Sequence, residues 1–211
     1  LIEVRLFKPL SMKNTSTKIN NDVLSSITTG KDGKVFHQGH YKTNNTMHAS
    51  GGVISTVNDL SKWLKANINQ ETKALSDHNV FEYLHNKQVE QNKEYFTYQR
   101  SGYSLGWDIA SYNGETILTR FGNYGGYSIH VSFMPERKLG VIAFTNQDIA
   151  YTLPHVIANY SYNSILNKNN KFSLLKQESE RLDQSISKSL LTAPDASQIV
   201  TTSNMSTNIC N

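Results

Sequence analysis

At 211 residues the chain is long enough for one large domain, or a domain with a tail, and for a sizeable core. Its net charge of +4 comes from basic residues scattered through Lys8, Lys18, Lys62, Arg100 and Lys138 rather than massed in one segment, which argues against a nucleic-acid footprint. The single cysteine, Cys210, excludes an internal disulfide framework and a cysteine-based zinc site, and no apolar run approaches a membrane span.

The opening LIEVRLFKPL has neither an initiator Met nor a signal-peptide pattern, so we expect a fragment whose upstream part is missing. Leu1, Ile2, Val4, Leu6 and Phe7 suit the last turns of a helix that Pro9 terminates. From Ser11 to Ser50 the chain is rich in Asn, Thr, Lys and Gly, which predicts an irregular surface connection with one short strand near Val35-Phe36. Ser55 or Thr56 then caps an amphipathic helix carrying Val57, Leu60, Trp63, Leu64 and Ile68, and NVFEYLHNKQ reads as a second short helix.

From Tyr103 the period changes, and YSLGWDIA, ETILTRFG, YSIHVSFM and LGVIAFTN predict a β-meander. Asn113-Gly114 supplies a two-residue hairpin turn, and Pro135-Glu136-Arg137-Lys138 a longer one. An apolar helix follows in AYTLPHVIANYSYNSIL, with Pro154 in its first turn. Beyond it, residues 167–211 read as a polar linker or tail with one weak helix in FSLLKQESERLDQSISKSLL.

Gly122, Gly125 and Gly126 crowd one loop beside Arg120, and glycines so placed serve positive φ or the close approach of another group. Four stretches in this order resemble the C-terminal half of the beta-lactamase-related serine hydrolases, which include class C beta-lactamases, D-alanyl-D-alanine carboxypeptidases, penicillin-binding protein-like enzymes and esterases. LFKPLSMKNTS resembles the PLGM-x-x-T segment, ASGGVISTVNDLSKWL the GG-x-x-ST-x-x-D helix, and YSLGW with GGYSIHVSFMPERKLGVIAFTN the closing strands. The resemblance spans residues 1–166 and implies an α+β fold of the α/β sandwich type: the C-terminal part of a beta-lactamase/transpeptidase-like domain, with an antiparallel sheet and flanking helices.

In that family the strand before such a loop ends in Lys-Thr-Gly or His-x-Gly, lining one wall of the active site. Arg120-Phe121-Gly122 stand there in this chain. By resemblance, the Asn123 backbone N–H is an oxyanion donor, and Phe121, Gly122 and Tyr124 line the substrate, an acyl group of peptide-like or small-molecule kind. Gly122 would leave room for a substrate laid against the strand edge. Arg120 departs from the pattern, because a guanidinium is effectively always protonated and does not relay a proton as Lys or His can. Two readings of it stand: a fork for a substrate carboxylate or a charge that lowers a neighbouring phenol's pKa, and a solvent-facing strand residue.

The family's nucleophilic Ser-x-x-Lys and its Tyr-x-Asn are expected upstream of Leu1. Ser173-x-x-Lys176 and Ser185-x-x-Lys188 match the first pattern, but they lie after the closing strands and read as chance; Tyr160 to Asn163, YSYN, reads as a helix packing face. His37 and His40 offer two metal ligands without a third, and His130 is expected at a surface or cleft by strand alternation. Asn14, Asn44 and Asn159 open glycosylation patterns common in any Asn-rich chain.

The expected function is that of part of a serine hydrolase acting on an amide or ester through an acyl-enzyme. It is inactive alone, with no cofactor, and its partner is the missing N-terminal part of the same domain. A periplasmic, membrane-anchored or secreted location follows from the resemblance only. A non-catalytic binding module that keeps the fold and groove is the rival reading, with Arg120 as its main support. A small metal-binding β-protein resting on His37 and His40 is a third, and would retain metal through dialysis.

Overall fold

The structure, a computed structural model, describes residues 1–195 except 21–22, 39–41, 50 and 72–79. Strands β1 (Ile27–Thr29) and β2 (Val35–His37) precede helices α1 (Val57–Asn69) and α2 (Val80–His85). Then come β3 (Val89–Tyr95), β4 (Tyr98–Tyr103), β5 (Asp108–Tyr112), β6 (Glu115–Tyr124), β7 (Tyr127–Met134) and β8 (Leu139–Thr145), followed by α3 (Leu153–Ile165) and α4 (Lys171–Leu191). Strands β3 to β8 form a six-stranded sheet in chain order. Consecutive neighbours joined by short turns run antiparallel, so the expected meander and the α+β class both hold.

The sheet is longer than the sequence predicts. The hairpin of β3 and β4 precedes the expected start at Tyr103, and the run YSLGWDIA is not one strand but the end of β4, a reversal and the start of β5. Gly106, at φ 107°, breaks it in a tight reversal closed by the Ser104 N–H donating to the Trp107 carbonyl at 2.8 Å. The sequence does not mark β3, because only Gln91 in it is even partly buried and no alternation of buried apolar side chains results. The Asn113-Gly114 turn is as expected: φ values of 45° and 83° give the primed geometry that matches strand twist, and Tyr112 pairs with Glu115.

The described residues divide into two compact units. The first comprises Leu1–Ser16, Ser55–Phe121 and His130–Ile142. Glu3–Phe7 form a wide helical turn before Pro9. In α1 it is Thr56 that caps, its side chain accepting from the Asp59 N–H at 3.2 Å. The apolar stripe of α1 presents Trp63 to Trp107 in a 5.2 Å stack, and Phe133 meets Trp107 edge-on at 5.1 Å. Gly140 lets α1 pack closely on β8, since a Cβ there would lie 2.8 Å from both Leu64 Cδ2 and Ile68 Cδ1.

The second unit comprises Thr17–Ile54, Gly122–Ile129 and the chain from Ala143 onward. Its irregular N-terminal segment holds a two-stranded ladder, β1 with β2, in which the expected strand at Val35-Phe36 finds a partner the sequence did not reveal. β1 is tied to the segment after β8: the Ile27 N–H donates to the Asn146 carbonyl and the Asp148 N–H to the Ile27 carbonyl. Side-chain bonds from Gln147 to Thr29 (2.8 Å) and from Asn146 to the Ser25 carbonyl (2.9 Å) reinforce this tie. Helix α3 buries Val156, Ala158, Asn159, Tyr162 and Asn163. Against it α4 places one buried carboxylate, Glu178, which accepts from Asn159 Nδ2 at 2.8 Å.

Candidate active site

The hairpin turn at Asn113-Gly114 fixes the register of β6 against β5, pairing Thr119 with Asp108. Arg120 follows at once, and its Nη1 reaches Asp108 Oδ2 at 3.3 Å. Arg100, on β4, places Nη2 3.0 Å from the same oxygen and lies 3.9 Å over the Tyr95 ring. Phe121 sits among aromatic rings, 5.2 Å from Tyr95, 5.5 Å from Phe96 and 4.9 Å from His130. The strand end thus combines exposed positive charge with an aromatic wall.

Gly122 to Tyr124, the last residues of β6, belong to the second unit. Gly122 is half-buried, and a Cβ on it would stand 2.7 Å from Ile129 Cγ2, which gives this glycine a packing reason in addition to the expected room for substrate. Asn123 and Tyr124 are exposed. Gly125 and Gly126, at φ 56° and 84°, make the two-residue turn into β7, where L side chains are strained. At Gly126 a side chain would also meet Ser26 Cβ at 2.8 Å.

His130, expected at a surface or cleft, is 1% exposed. Strand β7 is buried on both faces along most of its length, so alternation there separates two interiors rather than core from solvent. The His130 ring packs against Phe121, and its Nε2 lies 2.6 Å from Ser132 Oγ. His37 is exposed at the end of β2, His40 lies outside the described residues, and among the described residues no group of three or more His, Cys, Asp or Glu is placed to hold a metal. On α4, Ser173 Oγ donates to the Asn170 carbonyl as a helix-start contact and Lys176 pairs with Glu180, so that Ser-x-x-Lys is engaged locally. Tyr162 and Asn163 of YSYN are buried in α3.

Two of the resembling stretches meet at one buried carboxylate. Asp59 Oδ2 accepts the Asn14 N–H at 2.6 Å and the Thr15 hydroxyl at 3.0 Å, and Oδ1 pairs with Lys62 at 2.7 Å. Thr15 Oγ1 also lies 2.8 Å from Ser55 Oγ. Burial works to raise the Asp59 pKa, but the bonds from Lys62, the Asn14 N–H and Thr15 outweigh it and hold the carboxyl below its ordinary range. These residues lock PLSMKNT onto the capped start of α1.

The beta-lactamase family model matches residues 1–154. The chain belongs to the beta-lactamase family. A solved octameric penicillin-binding protein homologue from Pyrococcus abyssi is 26% identical, with a TM-score of 0.68 over 80% of this chain and 37% of its own. A class C beta-lactamase (15% identity, TM-score 0.56, 74% of this chain and 48% of that one) shares the fold. So does a penicillin-binding protein from Bacillus halodurans (19% identity, TM-score 0.54, 69% and 44%). No curated protein matches the sequence. This beta-lactamase-family chain therefore spans less than half the length of these solved structures.

Sequence reasoning singles out Arg120 but not Asp108, which it touches, or Arg100, which shares the same Asp108 oxygen. They come from neighbouring strands and form no local pattern with it. The one available signal was an arginine at an inward position of an otherwise alternating strand, YQRSGY.

Proposed function

We propose that the whole protein is a serine hydrolase that opens an amide or ester through an acyl-enzyme, and that this chain supplies one wall of its active site. The observation that carries the reading is the last part of β6: a family-matched strand that carries Arg120-Phe121-Gly122 ahead of its end at Tyr124, with the Arg120 side chain 54% exposed. Ser-x-x-Lys and Tyr-x-Asn belong to a part of the protein preceding Leu1, consistent with coverage of only 37–48% of the solved relatives. There the serine attacks the carbonyl, the amine or alcohol leaves, and water releases the acyl group. The Asn123 backbone N–H holds the tetrahedral oxygen, while Phe121, Gly122 and Tyr124 line the acyl chain. A guanidinium does not relay a proton, so the part of Arg120 is to fork a substrate carboxylate or to lower the pKa of a neighbouring phenol by its charge.

The isolated chain is then inert: a fluorophosphonate or beta-lactam probe leaves it unlabelled by mass spectrometry, while the chain joined to its upstream part takes up one acyl group. Stoichiometric labelling of Ser173 or Ser185 in the isolated chain defeats this reading. In the joined protein Arg120→Ala weakens carboxylate-bearing substrates more than neutral esters, and equal effects on both remove the carboxylate role. Arg120 in the place of Lys or His favours a second reading, a binding module that keeps the groove without the chemistry. Upstream coding sequence lacking Ser-x-x-Lys and Tyr-x-Asn selects it.

A further inference from the structure

Arg120 is one of two guanidiniums on a single oxygen, and the members of this trio differ sharply in setting. The Arg100 side chain is 10% exposed, Asp108 3% and Arg120 54%. One carboxylate neutralises one guanidinium, so the trio carries one positive charge in excess, and solvent reaches that charge at Arg120. A buried cation needs its counter-charge far more than an exposed one does, so Asp108 is committed first to Arg100. The balance at Arg100 agrees with this: burial pulls its pKa down, Asp108 and Tyr95 push it up, and the Arg120 charge lowers it again.

We propose that Arg100 is a positioning residue for Arg120. By meeting the charge of Asp108 from the buried side, it leaves the Arg120 guanidinium aimed by Asp108 but not neutralised by it, open to an anionic group of the substrate. This rests on the placement of Arg120 at the substrate given above. Without Arg100, Asp108 and Arg120 close into a neutral pair, and a substrate anion must compete with Asp108 for the fork. Selectivity for anionic over neutral substrates is thereby set by a residue that touches neither the substrate nor the scissile bond.

The test follows the Arg120 side-chain N–H resonances in the full 211-residue chain, titrated with phenylacetate and, as the neutral control, phenylacetamide. Phenylacetate shifts Arg120 and phenylacetamide does not. Arg100→Gln keeps an N–H donor for Asp108 but loses the charge; it slows solvent exchange of the Arg120 guanidinium protons severalfold and raises the phenylacetate Kd roughly tenfold, a fair size for losing a neighbouring charge at a partly exposed site. Arg100→Lys, which keeps the charge, stays near the wild type in both. An Arg100→Gln variant whose stacked Trp63 and Trp107 keep their near-ultraviolet signal, yet whose exchange and affinity are unchanged, overturns the proposal. Should that variant fail to fold, Arg100→Lys decides alone: slowed Arg120 exchange in it sinks the charge role, and wild-type exchange supports it. If exchange responds as expected while phenylacetate leaves wild-type Arg120 unmoved, the charge arrangement stands and the substrate role of Arg120 falls.

Discussion

Single residues here carry demands that the local sequence does not reveal. Asp59 satisfies a backbone N–H, a hydroxyl and an ammonium at once, and its removal strands all three. Asp59→Ala should cost about 3 kcal/mol in urea unfolding, since groups left without an acceptor add their desolvation cost to the lost bonds. A loss below half a kcal/mol would mean that water replaces the carboxylate freely. Gly122 offers a cleaner test of packing against function. Gly122→Ala should cost roughly 1–2 kcal/mol through overpacking against Ile129 Cγ2, and Ile129→Leu, which removes that methyl, should restore much of it. If the double variant regains stability but the joined protein stays slow on its substrate, the glycine serves the substrate as well as the strand. Recovery of both assigns it to packing alone.

At the scale of elements, legibility followed burial. Strands β5 to β8 were readable because buried aromatic and β-branched residues alternate with turn chemistry, and the Asn113-Gly114 reversal behaved as its backbone preferences require. The polar edge strand β3 and the threonine-rich β1 carry no such pattern, since backbone bonds to the next strand, β4 and β2 respectively, hold them rather than an alternating row of buried apolar side chains. The candidate site follows the same rule: a glycine-marked strand end shows in one dimension, whereas the sharing of Asp108 by Arg100 and Arg120 exists only across the ladder.

The α3–α4 pair holds a titratable group with a predictable signature. His155, 4% exposed, has Nε2 3.1 Å from Asn159 Nδ2, and burial, with a smaller effect of the Arg181 charge, lowers its pKa to about 3. A histidine lowered on folding binds fewer protons folded than unfolded, so its contribution is complete above its ordinary pKa near 6.5 and is lost as pH falls toward 3. The slope is about 1.4 kcal/mol per pH unit in that window. His85, lowered by burial and bonded to Asn67, adds in the same direction, whereas Asp59 matters only below about pH 4, the ordinary carboxylate range. Urea midpoints between pH 7 and pH 4.5 should therefore fall, and His155→Gln should flatten the fall without abolishing it. An unchanged slope in that variant would show that His155 takes up its proton without opening the α3–α4 contact.

At the scale of the whole molecule, the chain corresponds to 37% of the Pyrococcus abyssi homologue it resembles, and the family match ends at residue 154, inside α3. Large apolar side chains stand exposed in both units: Val4 at 63% in the first, and Leu24 at 68%, Ile165 at 63%, Phe172 at 64% and Leu191 at 80% in the second. A fully buried side chain of this size is worth roughly 1.5–3 kcal/mol relative to an exposed one, against a net domain stability of about 5–15 kcal/mol, so several together weigh heavily. Exposed apolar surface of that kind binds hydrophobic dyes. The isolated chain should accordingly enhance the fluorescence of such a dye under native conditions, and supplying the proposed upstream part should suppress the signal while raising the melting temperature. The two effects must move together, because both arise from covering the same side chains. A chain that melts in one sharp transition and leaves the dye dark would show that these residues need no further partner.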